Sequence, residues 1–590
     1  MKKNFLFSLF FLLLLFNSNA ENLINKQRLI SANSWLYQAL NVLFLDTGDV
    51  SIVDVAPYSY EEFYFYFSKI DYSTLSENSK ILYKKVENFL TKKDFEFDFS
   101  PLKIGLNLNL YPQINYKSNK DVDWTFSNPY DGNRYFDYKD KVYKQSISGD
   151  ESFAASSQYF KPFAMAPLYF NFAEKAYIHT ELTFTKSYWG MTNDKNFTTI
   201  PYNLKDFDFY WPRTAYFSTG NVWNDNFGFN FQLGRSGYQF GRTSLGSVIY
   251  NNTFNTEFYS KVDLFTKDFR AELNVIQVNT KRYMYLHAYE IKLFDKIRFG
   301  ITEGTFVNDE FELRYLNPFM IMHSYGAKDE NKTELIEKYY VEYPVCQYIG
   351  LTLDIVPFRN CRIYALYSQN EMQASHELKS AYGRSLPNSL GCQLGVEYNL
   401  PYKTKGLWTF NVEGIYTSPY LYVKQALGDS LVSYRSNMLY NKGVPIYSWI
   451  GSPFGPDTLA MEAKVSYKNF EKFEIDFSYL IAAHGQNNSS MFSATVENED
   501  GTFWAYYPSV LRKLGLISDK ESEKIARDMS LSGTIQYTNQ FKLHGNYIIN
   551  EHLKLDSEII YMLILNNNNI KSGLTNNFQL SFGVEYNLFK

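Results

Sequence analysis

The sequence predicts an all-β protein, a large antiparallel transmembrane β-barrel that follows a small N-terminal α-helical bundle. Three observations predict this fold class. An export signal opens the chain, most of the chain after residue 95 alternates apolar and polar residues, and the last strand has one wholly apolar face. Counting the alternating segments gives roughly 16 to 18 strands, and one closed antiparallel barrel is expected to have an even number.

The N-terminus has the three parts of an export signal. Met1–Lys3 is basic, Phe5–Phe16 is an apolar run, and Ser18–Ala20 supplies the small residues of a cleavage site. This order is typical of a secretory signal peptide, which we assign to residues 1–20. The alternative is an uncleaved membrane anchor, but the run is shorter than the roughly 20 residues that a spanning helix needs. We therefore expect an exported protein that resides in the cell outer membrane.

Residues 21–94 are predicted to form a helical bundle in the periplasm. Apolar residues in the segment 34–45 recur at helical spacing, and Ser59 with Glu62 forms a capping box. Ser76 is suited to cap a third helix. Two or three amphipathic helices of this length bury too little surface to be very stable alone. We favour a cap on the barrel rim over the alternative, a plug inside the lumen.

Residues 95–590 change to a period of two, which predicts the barrel. In the first strand Leu102, Ile104 and Leu106 alternate with Lys103 and Gly105. Successive side chains in a strand point to opposite faces, so one row faces lipid and the other faces the lumen. Charged residues recur on one face only, as expected for the polar lumen of a wide barrel.

The connections between the predicted strands are asymmetric. Tight links recur at 266–268, 294–296, 357–359, 469–471 and 550–552. Long stretches fall at 117–157, 190–212, 323–344, 370–388 and 484–530. Outer-membrane barrels have short periplasmic turns and long extracellular loops. We therefore expect long extracellular loops, one of which contains a helix within 508–529.

The last strand, Asn577–Leu588, reads NFQLSFGVEYNL. Its odd and even positions separate completely into a polar row and an apolar, aromatic-rich row. A soluble sandwich shows the same alternation, but the C-terminal position and the aromatic content favour a transmembrane barrel. Ser581–Leu588 also resembles the C-terminal signal of bacterial outer-membrane barrels, which implies recognition by the barrel-assembly machinery.

The composition agrees with a membrane barrel and excludes other classes. Aromatic residues make up 18% of the chain, yet the mean hydropathy is −0.33, as expected when lumen-facing polar residues dilute lipid-facing apolar ones. The net charge of −4 indicates no nucleic-acid partner. Cys346, Cys361 and Cys392 are too few and too widely spaced for a disulfide framework, and their odd number leaves at least one unpaired.

Several short segments of the central third carry a family resemblance. They are Trp211–Tyr216 (WPRTAY), Phe231–Arg235 (FQLGR), Gly241–Arg242, Leu245–Ser247, His287–Glu290 (HAYE), Gly300–Glu303 (GITE) and Glu312–Phe319 (ELRYLNPF). In this order and spacing the chain resembles the Wzi-like capsule-assembly family of outer-membrane proteins over most of residues 30–320. Beyond that range the similarity is one of architecture. Ala288 replaces the second member of the His-Arg pair usual in that family.

The resemblance implies a barrel of about 18 strands with a small periplasmic helical bundle. Proteins of that family help to attach capsular polysaccharide to the cell surface and act as lectins, so it implies a surface-polysaccharide ligand and no enzymatic activity. A porin-like channel for small solutes is the alternative, because a barrel of this size has an aqueous lumen unless it is plugged. A surface adhesin that binds through its long loops is a third possibility.

Charged and aromatic residues in the same central third are the candidate ligand-binding residues. An arginine fork suits a carboxylate such as that of a uronic acid. Tryptophan rings stack on sugar faces. The competing explanations are charge compensation across the lumen for the charged residues and a membrane-interface girdle for the rings. The candidates are Arg213, Arg235, Arg242, Arg314, Glu290, Glu303, Trp211 and Trp223.

Catalytic, metal and cofactor motifs are not found in the sequence. No GxSxG or HExxH pattern occurs, and the seven histidines are scattered. We expect no catalytic residues, no metal and no cofactor. The expected partners are outer-membrane lipid and surface polysaccharide, and the expected state is a monomer because a closed barrel leaves no sheet edge to pair.

Overall fold

The computed structural model of the chain describes most of the sequence from residue 23 onward. The described residues are 23–52, 54–93, 95–119, 126–138, 141–153, 161–185, 196–203, 208–210, 212–223, 226–251, 257–322, 345–401, 406–424, 430–437, 444–469, 472–487, 496–497, 503–504, 507–513 and 515–589. The assigned signal peptide, the stretch 323–344 and Trp211 lie outside them.

Eighteen strands form a single closed antiparallel sheet, which confirms the predicted barrel. The first, β1, has three parts, Leu102–Leu106, Asn109–Leu110 and Gln113–Lys117. The others are β2 Ala164–Phe172, β3 Ala176–Thr185, β4 Ala215–Trp223, β5 Phe227–Ser236, β6 Glu257–Thr266, β7 Phe269–Asn279, β8 Arg282–Leu293, β9 Ile297–Asn308, β10 Val345–Ile355, β11 Cys361–Glu371, β12 Ser389–Pro401, β13 Leu407–Thr417, β14 Thr458–Asn469, β15 Phe473–His484, β16 Gln536–Ile548, β17 Leu553–Leu565 and β18 Leu574–Asn587.

The barrel closes between its last and first strands. Gln579–Gly583 of β18 pair with Gln113–Lys117 of β1, and Tyr586 and Asn587 pair with Leu110 and Asn109. Along the other edge of β1, the part Leu102–Leu106 pairs with β2. Side chains of β18 alternate as predicted, with Phe578, Leu580 and Phe582 exposed on the outer wall. The row between them faces the lumen.

The two rims of the barrel differ as predicted. Alternate connections along the chain, beginning with β2–β3 and ending with β16–β17, lie at one rim, which we call the short-turn rim. Each of them has two to five residues. The opposite rim, the long-loop rim, carries the long connections, including β9–β10 and β15–β16. The latter contains helices α5 (Pro508–Lys513) and α6 (Asp519–Arg527), as expected, and α4 (Ala381–Arg384) lies in the β11–β12 connection.

Two of the N-terminal helices begin at the predicted caps, Ser59 and Ser76, and Ser34 caps the first. The three helices are α1 (Trp35–Thr47), α2 (Tyr60–Phe67) and α3 (Glu77–Thr91). Ser34, Ser59 and Ser76 each accept a hydrogen bond from a backbone N–H of the first turn of the helix that follows. These bonds satisfy donors that have no partner within the helix. No helix among the described residues is long and apolar enough to cross a membrane.

The N-terminal helical segment packs on the short-turn rim and also enters the lumen. It therefore combines the two predicted arrangements, a cap on the rim and a plug inside the lumen. On the rim, Asn78 donates to the carbonyl of Gly406 (2.8 Å) and Lys92 pairs with Glu551 (2.8 Å). Inside the barrel, Nζ of Lys261 on β6 donates to the carbonyl of Pro57 (2.8 Å). The segment before α2 is therefore held by the inner wall.

Two connections from the long-loop rim fold into the lumen and meet this segment. Within the β5–β6 connection, Gln239–Phe240 pair with Val55–Ala56 as a short antiparallel ladder. The hydroxyl groups of Tyr348 (2.9 Å) and Tyr422 (2.6 Å) both donate to the carbonyl of Val248. Tyr422 belongs to the β13–β14 connection. The described connections thus build an apolar core across the barrel interior.

The remaining regular elements are short or lie in connections. The additional strands are Val55–Ala56, Glu96–Phe99, Phe126–Tyr138, Lys141–Phe153, Asn196–Thr198, Asp208–Tyr210, Gln239–Phe240, Val432–Asn437, Val444–Trp449, Val496–Glu497 and Phe503–Trp504. The 3-10 turns are Tyr72–Thr74, Leu313–Leu316, Glu377–Lys379 and Asn567–Asn569. None of Cys346, Cys361 and Cys392 forms a disulfide bond in the described part of the chain.

Candidate functional site

A buried charge network joins the inner wall of the barrel to the N-terminal segment. Arg270 on β7 lies 2.6 Å from Asp263, 2.9 Å from Glu272, 3.3 Å from Glu62 of α2 and 3.4 Å from Glu290. All five side chains are at most 1% exposed. The network therefore compensates charges that would be costly to bury alone.

A second arginine extends the network toward the centre of the barrel. Nη1 of Arg298 on β9 lies 2.6 Å from Glu290 and 2.8 Å from Asp54 of the N-terminal segment. Arg298 and Arg362 both contact Asp354. Glu290, a sequence candidate for ligand binding, is thus committed to arginines of the wall. This arrangement supports the alternative explanation, charge compensation, for that residue.

The two acidic residues that the N-terminal segment contributes have opposite pKa shifts. Burial raises the pKa of Asp54, but the guanidinium groups of Arg298 and Arg362 more than offset it, so the pKa lies below its ordinary value. Burial together with the carboxylate of Asp263 raises the pKa of Glu62 to about 8. Four carboxyl groups surround Arg270, and their mutual repulsion favours keeping a proton on one of them.

A large cavity lies inside the barrel beside β1 to β5, and we call it the basic chamber. Its volume is about 990 Å³. Five cationic side chains and one carboxylate line it. They are Arg28, Lys161, Arg213, Lys464, Lys542 and Glu181. Three tyrosine rings, His179, hydroxyl and amide side chains and several apolar side chains also line it, so the charged groups of the lining have an excess of positive charge.

Several elements position the charged groups of the basic chamber. The backbone of Arg213, just before β4, donates to the carbonyl of Glu181 on β3 (3.3 Å). Lys464 and Lys542 project inward from β14 and β16. Their nearest acidic partners, Asp476 (3.8 Å) and Glu558 (2.5 Å), belong to the wall and do not line the chamber.

Aromatic rings form one side of the chamber. The imidazole of His179 stacks on the ring of Tyr216, with centroids 5.0 Å apart and planes inclined by 12°. The hydroxyl of Tyr216 accepts a hydrogen bond from the backbone N–H of Leu29 (3.1 Å). This side of the chamber therefore presents ring surface beside the cationic side chains.

A smaller cavity of about 340 Å³ adjoins the basic chamber beneath α1. The two share Ser34, Gln239, Thr243 and Lys464 among their lining residues. Arg242 also lines the smaller cavity. Its guanidinium lies over the ring of Tyr37 at 4.5 Å, and its Nη1 has no hydrogen-bond partner in the described part of the chain.

Arg242 is held through its backbone and leaves part of its side chain available. Its N–H donates to Asp54 (2.9 Å), and its carbonyl accepts from Nη1 of Arg362 (3.2 Å). Burial is the main cause that lowers the pKa of Arg242 to about 10. The group stays cationic at neutral pH, so an anion in this cavity would gain a charge-assisted hydrogen bond.

The structure brings together only some of the residues predicted from the sequence. Arg213 lines the basic chamber, and Arg242 lines the adjoining cavity. Arg235 pairs with Phe258 across the outer face of β5 and β6, and its guanidinium lies 5.0 Å from that ring. Trp223 stacks on Phe227 (5.3 Å) at the short-turn rim, as in an aromatic girdle.

Two further candidates also lie outside the lumen. Glu303 is directly opposite His287 on the outer wall, and Arg314 contacts Glu312 in the β9–β10 connection. Sequence reasoning missed Arg28, Lys161, Lys464, Lys542 and Glu181. Strand alternation does place Lys464 and Lys542 on the inner face, but only closure of the sheet shows that they face β3 and β4. Among the described residues no group of histidine, cysteine and acidic side chains is arranged to hold a metal ion.

Comparison with known proteins gives a match at the level of fold. No protein-family model matches the sequence, and no curated protein sequence matches it either. The structure is similar to that of Wzi from Escherichia coli, an outer-membrane protein involved in group 1 capsule assembly and described as a carbohydrate-binding β-barrel. The TM-score is 0.51 at 10% sequence identity, and the match covers 94% of this chain and 98% of Wzi.

Other similar structures are the outer-membrane protein OprD and the outer-membrane channel DcaP. OprD from Pseudomonas aeruginosa matches with a TM-score of 0.38 and 8% identity over 82% of this chain and 94% of OprD. DcaP from Acinetobacter baumannii matches with a TM-score of 0.31 and 10% identity over 84% of this chain and all (100%) of DcaP. The resemblance found in the sequence is confirmed for the fold: the chain is a closed 18-stranded outer-membrane β-barrel built like that of Wzi.

Proposed function

We propose that this barrel binds or organises an anionic, capsular-type surface polysaccharide and catalyses no reaction. The observation that carries the proposal is the basic chamber, with five cationic side chains and one carboxylate around about 990 Å³. This volume lies at the upper end of the range of small-molecule sites. It suits a short stretch of saccharide that carries carboxylates or other acidic groups.

The chemistry of the lining matches the groups of an acidic sugar. Arginine and lysine bind carboxylates through charge-assisted hydrogen bonds, which are about twice as strong as neutral ones. Ser244, Asn251 and Gln239 offer hydroxyl and amide groups for sugar hydroxyls. The rings of Tyr60, Tyr111 and Tyr216 offer flat apolar surface to a pyranose face. Arg242 supplies a further cation in the adjoining cavity.

The proposal includes an orientation and a set of partners. The short-turn rim and the helical bundle face the periplasm, and the long-loop rim faces the outside, where a surface polysaccharide is met. The protein acts as a monomer in outer-membrane lipid, after insertion by the barrel-assembly machinery. The capsule-assembly role of Wzi, a barrel of the same fold, supports a surface-polysaccharide ligand over an unrelated one.

A porin-like role is not favoured by the described interior. The core formed by the β5–β6 and β13–β14 connections, together with the N-terminal segment, lies across the path that a solute would follow. Tyr348 and Tyr422 both anchor this core at the carbonyl of Val248.

Binding of defined polysaccharides by the full-length protein in detergent tests the proposal. The probes are polygalacturonate as the acidic chain and dextran as the neutral one, followed by polysaccharide purified from the surface of the producing cells. We expect saturable binding of an acidic chain and none of dextran. Arg213→Gln and Lys464→Gln should each weaken that binding at least tenfold.

The outer-wall variant Arg235→Gln is the matched control, because it removes the same charge from the other face of the same wall. It should bind like the wild type. Equal losses of polysaccharide binding in Arg213→Gln and Arg235→Gln would indicate a nonspecific effect of removing a positive charge. No saturable binding of any acidic chain, the native polysaccharide included, would contradict the proposal.

A further inference from the structure

Polar side chains occupy an unusual place on the outer wall of β8 and β9. His287 and Glu303 are directly opposite each other, and both alternate with lumen-facing residues, so they point outward. Ile291, Phe299 and Ile301 lie nearer the short-turn rim on the same face and are exposed, as lipid-facing residues are. The outer wall thus changes from apolar to polar toward the long-loop rim.

The polar part of the wall lies at a depth where lipid chains are expected. From Ile297, at the start of β9, to Glu303 the strand rises about 15 Å along the membrane normal, at about 3.3 Å per residue and a tilt of about 40°. The apolar band of an outer-membrane barrel is about 25 Å tall. Glu303 and His287 therefore fall within the band, where uncovered polar groups are costly.

Residues 311–322 of the β9–β10 connection, which we call the outer strap, cover this polar patch. The backbone N–H of Glu312 donates to the hydroxyl of Tyr285 (2.9 Å), and a ring nitrogen of His287 hydrogen-bonds the carbonyl of Tyr315 (3.1 Å). The hydroxyl of Tyr289 donates to the carbonyl of Pro318 (2.8 Å). Polar groups of the wall are thus paired with backbone groups of the strap.

An apolar cluster locks the outer strap in place. Tyr285, Val307, Tyr315, Met322 and Val345 pack together outside the barrel. Tyr285, although it points away from the lumen, is completely buried (0% exposed). Lipid-facing residues of the same strands are far more exposed, such as Ile301 at 43%. The strap therefore forms a second layer on the wall.

The side of the outer strap that faces away from the barrel is apolar. Its exposed side chains include Leu313, Phe319 and Ile321, and Phe319 is 95% exposed and Ile321 67% exposed. Several large apolar side chains this exposed within one short segment are unusual on a surface in contact with water. They continue the lipid-facing surface of Phe299 and Ile301 outward over the strap.

We propose that the outer strap is a lipid-binding element, whose exposed apolar side chains insert among the acyl chains of the leaflet nearest the long-loop rim. The strap covers a polar section of the wall with an apolar surface. It makes the lipid-facing surface of the protein wider on that side of the barrel. This proposal does not depend on the polysaccharide function, because the strap lies on the outer wall and the basic chamber lies inside the barrel.

Quenching by brominated lipids in vesicles tests the proposal on the full-length protein. Bromine atoms on an acyl chain quench a tryptophan that touches the chain, whereas aqueous iodide quenches one that faces water. The reporter variants are Phe319→Trp and Ile321→Trp, and the signal is the emission that each adds to the wild type. We expect brominated phosphatidylcholine to remove at least half of the added emission and iodide to remove little.

Two matched variants calibrate the measurement. Leu394→Trp reports an exposed position on the lipid side of β12, and Tyr382→Trp reports an exposed position on α4 near the long-loop rim. The proposal is overturned if both strap variants behave like Tyr382→Trp. It is also overturned if neither quencher acts and the strap cross-links to a second copy, since a protein would then cover it.

Discussion

The carboxylate of Asp54 lies 2.8 Å from Nη1 of Arg298, and both side chains are buried. This pair joins the N-terminal segment to the wall of a barrel whose strands are far away in the sequence. The pair of Lys92 and Glu551 joins the same two parts of the molecule at the same distance, 2.8 Å, but in solvent. The contribution of a buried ion pair to the docking of the N-terminal segment can therefore be compared with that of an exposed one.

Replacing Asp54 by asparagine should loosen the N-terminal segment. The change removes one of the carboxylates around Arg298, and breaking a buried ion pair by removing one partner costs about 3–5 kcal/mol. Tryptic cleavage within residues 23–93 tracks the undocked population, so it should accelerate roughly a hundredfold or more. Lys92→Gln should change the rate little, because an exposed pair contributes at most about 1 kcal/mol. Equal rates in Asp54→Asn and the wild type would contradict the role of this pair.

Docking of the N-terminal segment should weaken as the pH rises from about 5 to 8. The pKa of Glu62 is raised from 4.5 to about 8 in the fold. The folded state therefore retains a proton that the undocked state loses, and its stabilisation, complete below pH 4.5, is lost as the pH passes through about 8. The rate of tryptic cleavage, corrected for the pH dependence of trypsin, measures this change. Glu62→Gln should flatten the dependence, and an unchanged slope in that variant would assign the effect to another group.

The wild-type barrel should conduct almost no ions in a planar bilayer. Its described interior is crossed by the β5–β6 connection, which Val248 anchors to Tyr348 and Tyr422. Deleting residues 242–250 should remove this barrier and produce stepwise conductance. Heat-modifiable migration on a gel verifies that the deletion variant still forms the barrel. Large steady conductance by the wild-type protein would favour the porin-like alternative instead.

Adding a methyl group at Gly395 should destabilise the barrel wall. A Cβ there would lie 2.2 Å from the ring of Tyr364, whose hydroxyl bonds to Glu413. Overpacking of this kind costs about 1–3 kcal/mol, so Gly395→Ala should lower the temperature at which the barrel loses its folded gel mobility. Gly414→Ala is the control on the neighbouring strand, where the nearest atom is 3.8 Å from the added carbon. Equal transition temperatures in the two variants would contradict the predicted clash.

The regular elements were predictable because their signals are local. Alternation along β18 distinguished the lipid-facing row with Phe578 and Phe582 from the lumen-facing row. Ser59 and Ser76 marked helix starts, since a cap needs only the residues of the first helical turn. The short links likewise depend on neighbouring residues. The strand number followed from counting such segments together with the family resemblance.

The residues of the candidate site were predictable only in part. Arg213 and Arg242 were recognised and lie around connected cavities, whereas Arg235 and Trp223 lie on the outer wall. The chamber also contains Lys542, which the sequence did not single out. A sequence motif gives the order of residues in the chain, but it does not say which distant strands face each other across a lumen.

The sequence by itself determined that this chain is a β-barrel with an N-terminal helical segment, because periodicity, capping and turn length are properties of adjacent residues. Only the tertiary structure decided where the charges act. Closure of the sheet brought Arg28, Lys161 and Arg213 around one chamber and left Glu303 opposite His287 on the outer wall. A one-residue change in strand register exchanges the two faces, and pairings between distant strands set the shape of the lumen. The function of each charged side chain therefore depends on the closed barrel.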